Sequence, residues 1–350
     1  VQLSDFDYDL PDSRIAQTPI EPRDSARLLV AGDPVRHLHV SDLADLLQPG
    51  DLLVVNETRV IPARLKLRRA TGGAAEVLLL EAMNGARTEW EALVRPGKKL
   101  LVGEELLAGE VPLVRIGERT AAGDTFHVTL LGPTDGSAAL ATLDEHGEMP
   151  LPPYIHERLE DPDRYQTVYA REPGSAAAPT AGLHFTPELF DRLDARGVQR
   201  AAVELVVGLD TFQPISTDDP LAHPMHTERY RVPPETMQAC LDTRAAGGRV
   251  VAVGTTAVRA LESAAKYGEL SGRTKLFIHE GFDWQIVDVL MTNFHLPKTT
   301  LLMMIDAFVG PVWRELYAEA LHAQYRFLSF GDAMLLERRL GRQRLELPSS

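Results

Sequence analysis

The sequence predicts an α/β protein in which a larger mixed α/β, barrel-like domain carries a small inserted antiparallel β-barrel. Two textures along the chain point to this. In residues 1–63 and 150–350, buried strands alternate with helix-length segments through polar, glycine-containing loops. In residues 64–149, short strand-like runs recur at roughly 8–12-residue spacing, the pattern of a small sandwich or barrel. At 350 residues the chain also exceeds the usual length of one domain, which a discontinuous domain with an insertion accommodates.

The elements follow in order. Ser41 is an N-cap candidate for a short helix over 41–47, and Pro49-Gly50 makes a turn. Residues 51–55 then read as a buried strand leading into Asn56-Glu57-Thr58-Arg59. The insertion reads as strands at 64–69, 76–80, 88–94, 111–116 and 125–131, with a helix over 137–143. A proline-rich crossing at 149–153 returns the chain to alternating α and β. Thr186 is an N-cap, Pro187 suits the first helical position and Gly197 suits the residue past the end. Phe185 and Phe190 occupy the positions of a hydrophobic staple. Strands are expected at 201–207, 250–253 and 285–291, and helices from 237, at 257–266 and at 300–309.

Composition bounds the function. Hydrophobic residues at 44% and charged residues at 25% suit a protein with a packed core. The opening residues lack the basic-then-apolar pattern of a signal peptide. No apolar run approaches the ~18 residues that span a bilayer. A cytoplasmic protein with no membrane partner is the expectation. The single cysteine, Cys240, excludes an intrachain disulfide and any multi-cysteine metal site, and reads as part of a buried helix face. With a net charge of −14, binding to a polyanion requires a local basic patch.

Several constellations can carry chemistry. Gly254-Thr255-Thr256-Ala257-Val258-Arg259 lies between a strand and a helix, where unpaired N–H groups, two hydroxyls and Arg259 suit a carboxylate or phosphate. Plain capping by either threonine, with Arg259 paired to Glu262 or a neighbour, accounts for the same residues. His184, in the loop from Thr180 to Thr186, stands just before a helix and can give or take a proton, or serve structure alone. Asn293, His295 and Lys298 repeat that arrangement at the next strand end. His226, Glu228 and Tyr230 share a face if extended, which suits acid/base or hydrogen-bonding work better than a metal; no metal site is expected. Arg64, Lys66 and Arg68 alternate along one strand, and Arg95, Lys98 and Lys99 bracket a turn. Both groups read as a solvated face or as a track for a phosphate backbone.

Taken together, several long motifs occur in a fixed order. They are Phe6-Asp7-Tyr8-Asp9-Leu10-Pro11, Ile15-Ala16-Gln17, Pro22-Arg23-Asp24, Val55 to Val60, Ala63-Arg64, Tyr165 to Tyr169, Pro179 to Pro187, Gly254 to Arg259, Thr292 to Lys298 and Tyr325 to Met334. Over nearly the whole chain this resembles the S-adenosylmethionine:tRNA ribosyltransferase-isomerase family of the queuosine pathway. Departures are small: Asp210 stands where the family has glycine, Thr299 where it has serine, and His279 where a tyrosine is common.

The resemblance implies an enzyme that moves the ribosyl unit of S-adenosylmethionine onto 7-aminomethyl-7-deazaguanine in a tRNA anticodon loop. It implies isomerisation to epoxyqueuosine, with release of adenine and methionine. S-adenosylmethionine is then a consumed substrate, no cofactor or metal is needed, and a monomer is expected. On this view His184 and His295 transfer protons, with Glu228 as a competing base. Thr255, Thr256 and Arg259 hold the methionine carboxylate or a tRNA phosphate, while Asn56, Arg59 and Asn293 orient adenine or ribose, with Thr180 and Lys298 nearby. Arg64, Lys66 and Arg68 grip the tRNA stem. Two other readings stand beside it: an S-adenosylmethionine-dependent RNA methyltransferase, and a non-catalytic RNA-binding protein.

Overall fold

The computed structural model describes residues 2–338 except 98, 121, 122, 124, 208–214, 216–218, 224 and 226. Asp210, Lys98 and His226, singled out above, therefore lie outside the described residues. The chain begins with β1 (Arg27–Val30), β2 (Arg36–His39), α1 (Leu43–Leu46), β3 (Leu52–Asn56) and β4 (Thr58–Val60). It continues through β5 (Arg64–Arg69), β6 (Ala74–Ala82), β7 (Glu89–Arg95), β8 (Glu105–Ala108), β9 (Val111–Arg119) and β10 (Phe126–Leu130). After α2 (Gly136–His146) and β11 (Gly147–Glu148) come β12 (Glu172–Ser175), α3 (Pro187–Ala195), β13 (Gln199–Leu205), β14 (Glu228–Arg231) and α4 (Pro234–Ala245). The last elements are β15 (Val250–Val253), α5 (Gly254–Tyr267), β16 (Ser271–Thr274), β17 (Val289–Asn293), α6 (Thr300–Val309), α7 (Trp313–His322) and β18 (Ala333–Glu337).

Nine strands form one mixed sheet in the order β16-β14-β13-β3-β15-β17-β18-β1-β2. Its centre, β13-β3-β15-β17, is parallel, and the flanking pairs β13–β14, β17–β18 and β1–β2 are antiparallel. Among the described residues no ladder joins β16 to β2, so the larger domain is organised by an open sheet. Strands β3, β15 and β17 are buried along their whole length, because helices cover both faces. The two-residue period divides the side chains between those faces. Leu52, Val54, Val250, Ala252 and Leu290 pack under α5, α6 and α7, whereas Leu53, Val55, Val251, Val253 and Met291 pack under α1 and α3.

The second sheet closes on itself. Strands run β5-β6-β7-β10-β9-β8, and β8 returns to β5 through Arg68↔Leu107 and Arg69↔Leu106, giving a six-stranded antiparallel barrel. Leu65 and Leu67 of β5 point into its core beside Trp90, Ile116 and Val128, while Arg64, Lys66 and Arg68 alternate outward. Helix α2, capped by the Asp135 carboxylate, contributes Ala139 and Leu143 to the same core. Gln166 ties the barrel's exit to its return: its side-chain nitrogen donates to the Val60 carbonyl at 2.7 Å, and its oxygen accepts from the Val60 N–H at 3.1 Å.

Local expectations mostly hold. Thr186 caps α3 through Leu189 N–H at 3.1 Å, Pro187 opens it, and the Phe185 and Phe190 rings stack at 5.1 Å. Ser41 is not an N-cap: it lies within a short 3₁₀ turn, Val40–Asp42, and Asp42 precedes α1. Strand β8 escaped the sequence reading, as did β1, β2 and β18. Cys240 is fully buried on α4, and burial pushes its thiol up to about 12, which leaves no thiolate. Among the described residues, no helix is long and apolar enough to cross a membrane.

Asn56 holds two strand ends together. Its side-chain nitrogen donates to the Leu205 carbonyl at 3.1 Å, and its oxygen accepts from Leu205 N–H at 3.2 Å and Thr58 N–H at 3.3 Å. The residue is fully buried, so Asn56→Ala leaves those backbone groups dry and unpaired. A loss of about 2–4 kcal/mol in unfolding free energy is expected from urea titration. A change below about 0.5 kcal/mol, the size of a neutral surface substitution, contradicts the bridging role.

Candidate active site

A cleft opens at the carboxyl ends of the sheet's parallel strands. Its wall includes Val207 beyond β13, Gly254 to Thr256 beyond β15 and Thr292 to Leu296 at the end of β17. In open α/β sheets these ends collect ligands, because the loops leaving adjacent strands diverge there. Thr180, Tyr154 and Ser329 complete the polar lining. None of the described lining residues is an Asp, Glu, Lys or Arg. The described lining is uncharged and mixes polar with apolar side chains.

One wall is the start of α5. Gly254 takes φ +83°, a left-handed conformation open to glycine, and lets the chain pass from β15 into the helix without a spacer. The helix therefore begins three residues earlier than expected, and neither threonine caps it. The first-turn N–H groups have no side-chain cap, and the buried Thr256 Oγ1 has no hydrogen-bond partner among the described residues. Such a terminus attracts anions. Arg259 lies one turn deeper and does not reach the cleft wall. It is buried and ion-paired with Glu228 on β14, rather than with Glu262 as weighed above. Its Nε and Nη2 find no hydrogen-bond partner among the described residues. Glu262 instead accepts from the backbone N–H groups of Gln285, Ile286 and Val287.

The opposite wall is the loop after β17. His295 Nε2 sits 3.1 Å from Thr292 Oγ1. The His295 N–H donates to the Tyr317 hydroxyl at 3.0 Å, and the Tyr8 hydroxyl donates to the His295 carbonyl. Burial pushes the imidazole down to about 3, so it is neutral and carries a lone pair at ordinary pH. Lys298 turns away at φ +58° and pairs with Asp7 at 2.8 Å near the surface. It does not line the cleft, and its ammonium serves to fasten the N-terminal segment. Thr299 caps α6 through Leu302 N–H.

Thr180, Asn293 and His184 form a connected row. Thr180 Oγ1 donates to Asn293 Oδ1 at 3.1 Å, and Asn293 Nδ2 lies 3.2 Å from His184 Nε2 and 3.3 Å from the Asp332 carbonyl. Thr180 and Asn293 line the cleft. His184 does not; it borders a separate, small pocket together with Arg23, Arg164 and Ser329. Burial first, then the nearby Arg326, Arg23 and Arg164, pushes His184 down to about 4.

The structure thus brings Thr180, Thr255, Thr256, Asn293 and His295 together and leaves other expected members elsewhere. Asn56 spends its amide on the backbone, and Glu228 is paired with Arg259 outside the cleft lining. Arg59 lines a second, wider groove of about 2150 Å³ with Arg64, Lys66 and Arg158. Lys66 pairs there with Glu148 at 2.7 Å. Arg68 lies outside that lining, because the groove covers only the first part of β5. Tyr154 and Ser329, which share a 2.7 Å hydrogen bond, were missed as site residues. Their signals were the proline-rich crossing just before Tyr154 and the Tyr325 to Met334 motif around Ser329.

The buried His184 and the half-buried His295 make the fold acid-sensitive. Their native values lie near 4 and 3, below the ordinary 6.5, so the unfolded chain binds more protons between those limits. Stability is therefore complete above about pH 6.5 and falls as the pH drops toward 4, by up to about 1.4 kcal/mol per pH unit for each imidazole. Urea unfolding at pH 7, 6 and 5 is expected to show a shallower decline for His295→Gln than for the parent chain. Equal declines contradict the neutral assignment.

Comparison with known proteins agrees with this architecture. A family model described as "Queuosine biosynthesis protein" matches residues 3–336. The chain is 51% identical over 357 residues to the S-adenosylmethionine:tRNA ribosyltransferase-isomerase of Symbiobacterium thermophilum, covering 96% of this chain and 100% of that protein. It is 47% identical over 350 residues to the enzyme of the same name from Staphylococcus aureus, again covering 96% and 100%. The crystal structure of S-adenosylmethionine tRNA ribosyltransferase from Thermotoga maritima aligns with a TM-score of 0.54 at 38% identity, over 95% of this chain and 99% of that one. Matched along almost its whole length, the chain belongs to the queuosine biosynthesis protein family.

Proposed function

We propose that this enzyme transfers the ribosyl unit of S-adenosylmethionine to the aminomethyl group of 7-aminomethyl-7-deazaguanine in a tRNA anticodon loop. The transferred ring is isomerised to an epoxycyclopentanediol, yielding epoxyqueuosine, adenine and methionine. S-adenosylmethionine is a consumed substrate and no cofactor takes part. The observation that carries the assignment of the site is a cleft whose described lining is uncharged and joins a helix start to a neutral imidazole.

The two walls divide the work. Thr255, Thr256 and the first-turn N–H groups of α5 receive the methionine carboxylate, while Arg259, one turn deeper, is held by Glu228. A sulfonium acidifies the hydrogens on the adjacent ribose carbon, and His295 is the base facing the cleft. Its weak hold on a proton has a use in the second half of the reaction. The imidazolium, once formed, is a strong acid and readily returns the proton to departing adenine. Thr180 faces the substrate, while Asn293 orients Thr180.

The RNA approaches the wider groove beside β5, where Arg59, Arg64 and Lys66 meet the phosphate backbone. This revises Arg59 from a nucleoside contact to a phosphate contact and leaves Arg68 at the margin. A tRNA substrate makes the cytoplasm the working compartment, and one copy of the chain suffices for the chemistry.

Incubation with S-adenosylmethionine and precursor tRNA, followed by mass analysis of small products and digested nucleosides, tests the reaction. Adenine and methionine are expected in equal amounts with the epoxyqueuosine nucleoside. S-adenosylhomocysteine instead indicates methyl transfer, and unconsumed S-adenosylmethionine with competent tRNA indicates binding alone. His295→Gln is expected to lower kcat by about 10²–10⁴-fold in a folded protein. Replacing Arg59, Arg64 and Lys66 together with Glu should weaken tRNA binding and flatten its dependence on log salt by roughly 0.7–0.9 per lost phosphate contact. An unchanged slope rejects the groove as the RNA track.

A further inference from the structure

We propose that His184 is a positioning residue and not a proton carrier: acting through the buried Asn293 amide, it fixes the Thr180 hydroxyl as a lone-pair acceptor facing the substrate's sulfonium. The assignment builds on the cleft being the S-adenosylmethionine site.

The orientation of Asn293 follows from its neighbours. A backbone carbonyl can only accept, so the Asp332 oxygen, 3.3 Å away, requires the amide nitrogen on its side. That same nitrogen lies 3.2 Å from His184 Nε2. Nε2 must then accept as well, which places the imidazole proton on Nδ1. A hydrogen on Nε2 would oppose the amide N–H head-on. The lone pair that a general base at this nitrogen needs is already occupied, and its partner is an amide rather than substrate.

The amide oxygen completes the row. It too can only accept, so the Thr180 hydroxyl, 3.1 Å away, directs its hydrogen to Asn293. Its remaining lone pairs are free to face the cleft, which Thr180 lines. Among the described lining residues there is no carboxylate to meet a cation. Oxygen lone pairs held in a fixed direction are what an uncharged wall offers to a sulfonium. Asn293 is 3% exposed and His184 4%, so neither is swung aside by solvent. Three arginines near His184, Arg23, Arg164 and Arg326, oppose a second proton on the ring.

The test compares the sulfonium with its neutral thioether analogue. S-adenosylmethionine and S-adenosylhomocysteine are titrated calorimetrically into the parent chain, His184→Gln and His184→Leu, and turnover is measured with tRNA. Thermal melting checks folding. Glutamine supplies a side-chain oxygen for the Asn293 nitrogen, so His184→Gln is expected to keep kcat and the sulfonium preference within about threefold. His184→Leu removes the acceptor, and the preference should fall about tenfold, the worth of one hydrogen bond to a charged group. Should the leucine variant fail to fold, Thr180→Val, which deletes the hydroxyl at similar volume, is expected to show the same loss of preference. A folded His184→Gln that loses kcat by 10²-fold or more, as expected for a missing proton carrier, overturns the proposal. So does an undiminished preference in His184→Leu or Thr180→Val. Failure of the parent chain to bind S-adenosylmethionine at all speaks instead against the cleft as its site.

Discussion

Where parallel strands stop, backbone N–H and C=O groups lose their ladder partners, and burial forbids water from replacing them. In this protein, buried amide side chains supply the missing partners. Asn56 takes both backbone groups of Leu205, Gln166 takes both of Val60, and Asn293 meets the Asp332 carbonyl. Asn56 and Asn293 are the last residues of β3 and β17, and Gln166 reaches from a loop to the end of β4. Of the three, Asn293 lines the cleft, while Gln166 lines the wider groove beside the barrel. An apolar residue in any of the three positions would fill the space and leave the backbone unsatisfied.

The two sheets solve different problems. The open sheet, covered by helices on both faces, holds loop ends rigidly around an uncharged cleft. The barrel has no free edge and so presents basic side chains outward without exposing a strand for unwanted pairing. This separation suits a protein of net charge −14 acting on a polyanion. The groove by β5 sets Arg59, Arg64, Lys66 and Arg158 among the carboxylates Asp144, Glu148, Glu157 and Asp163, whereas the described lining of the cleft is uncharged.

Much of the fold was legible because it rests on local signals. The Thr186-Pro187 start and the Phe185–Phe190 staple need only neighbours in sequence, and β5, β15 and α6 fall where their patterns put them. Strand β8 was not legible. Its four residues are too short to show a period, and its identity comes from the barrel closing against β5. The site shows the same division. That Gly254–Arg259 and Asn293–His295 open onto a ligand space was readable from strand-loop-helix junctions. Which polar groups meet ligand and which meet protein was not. Asn56 and Asn293 look alike in sequence, yet one serves backbone alone and the other also faces the cleft. His184 depends on Asn293, 109 residues away, and Arg259 depends on a glutamate from another strand. Such partners are chosen by topology.

The N-terminal clamp sets an order on the birth of the enzyme. The Tyr8 hydroxyl grips the His295 carbonyl, 287 positions along the chain. The Ala16 N–H donates to the Phe327 carbonyl, the Phe327 N–H donates to the Arg14 carbonyl, and β1 lies parallel to β18. Residues 8–30 therefore wait, unpartnered, until the chain past residue 327 has been made. The barrel, whose strands are contiguous in sequence, can mature while synthesis continues. A nascent chain halted before β17 would carry a closed barrel but lack Thr292 to Leu296, and with them one part of the cleft's wall.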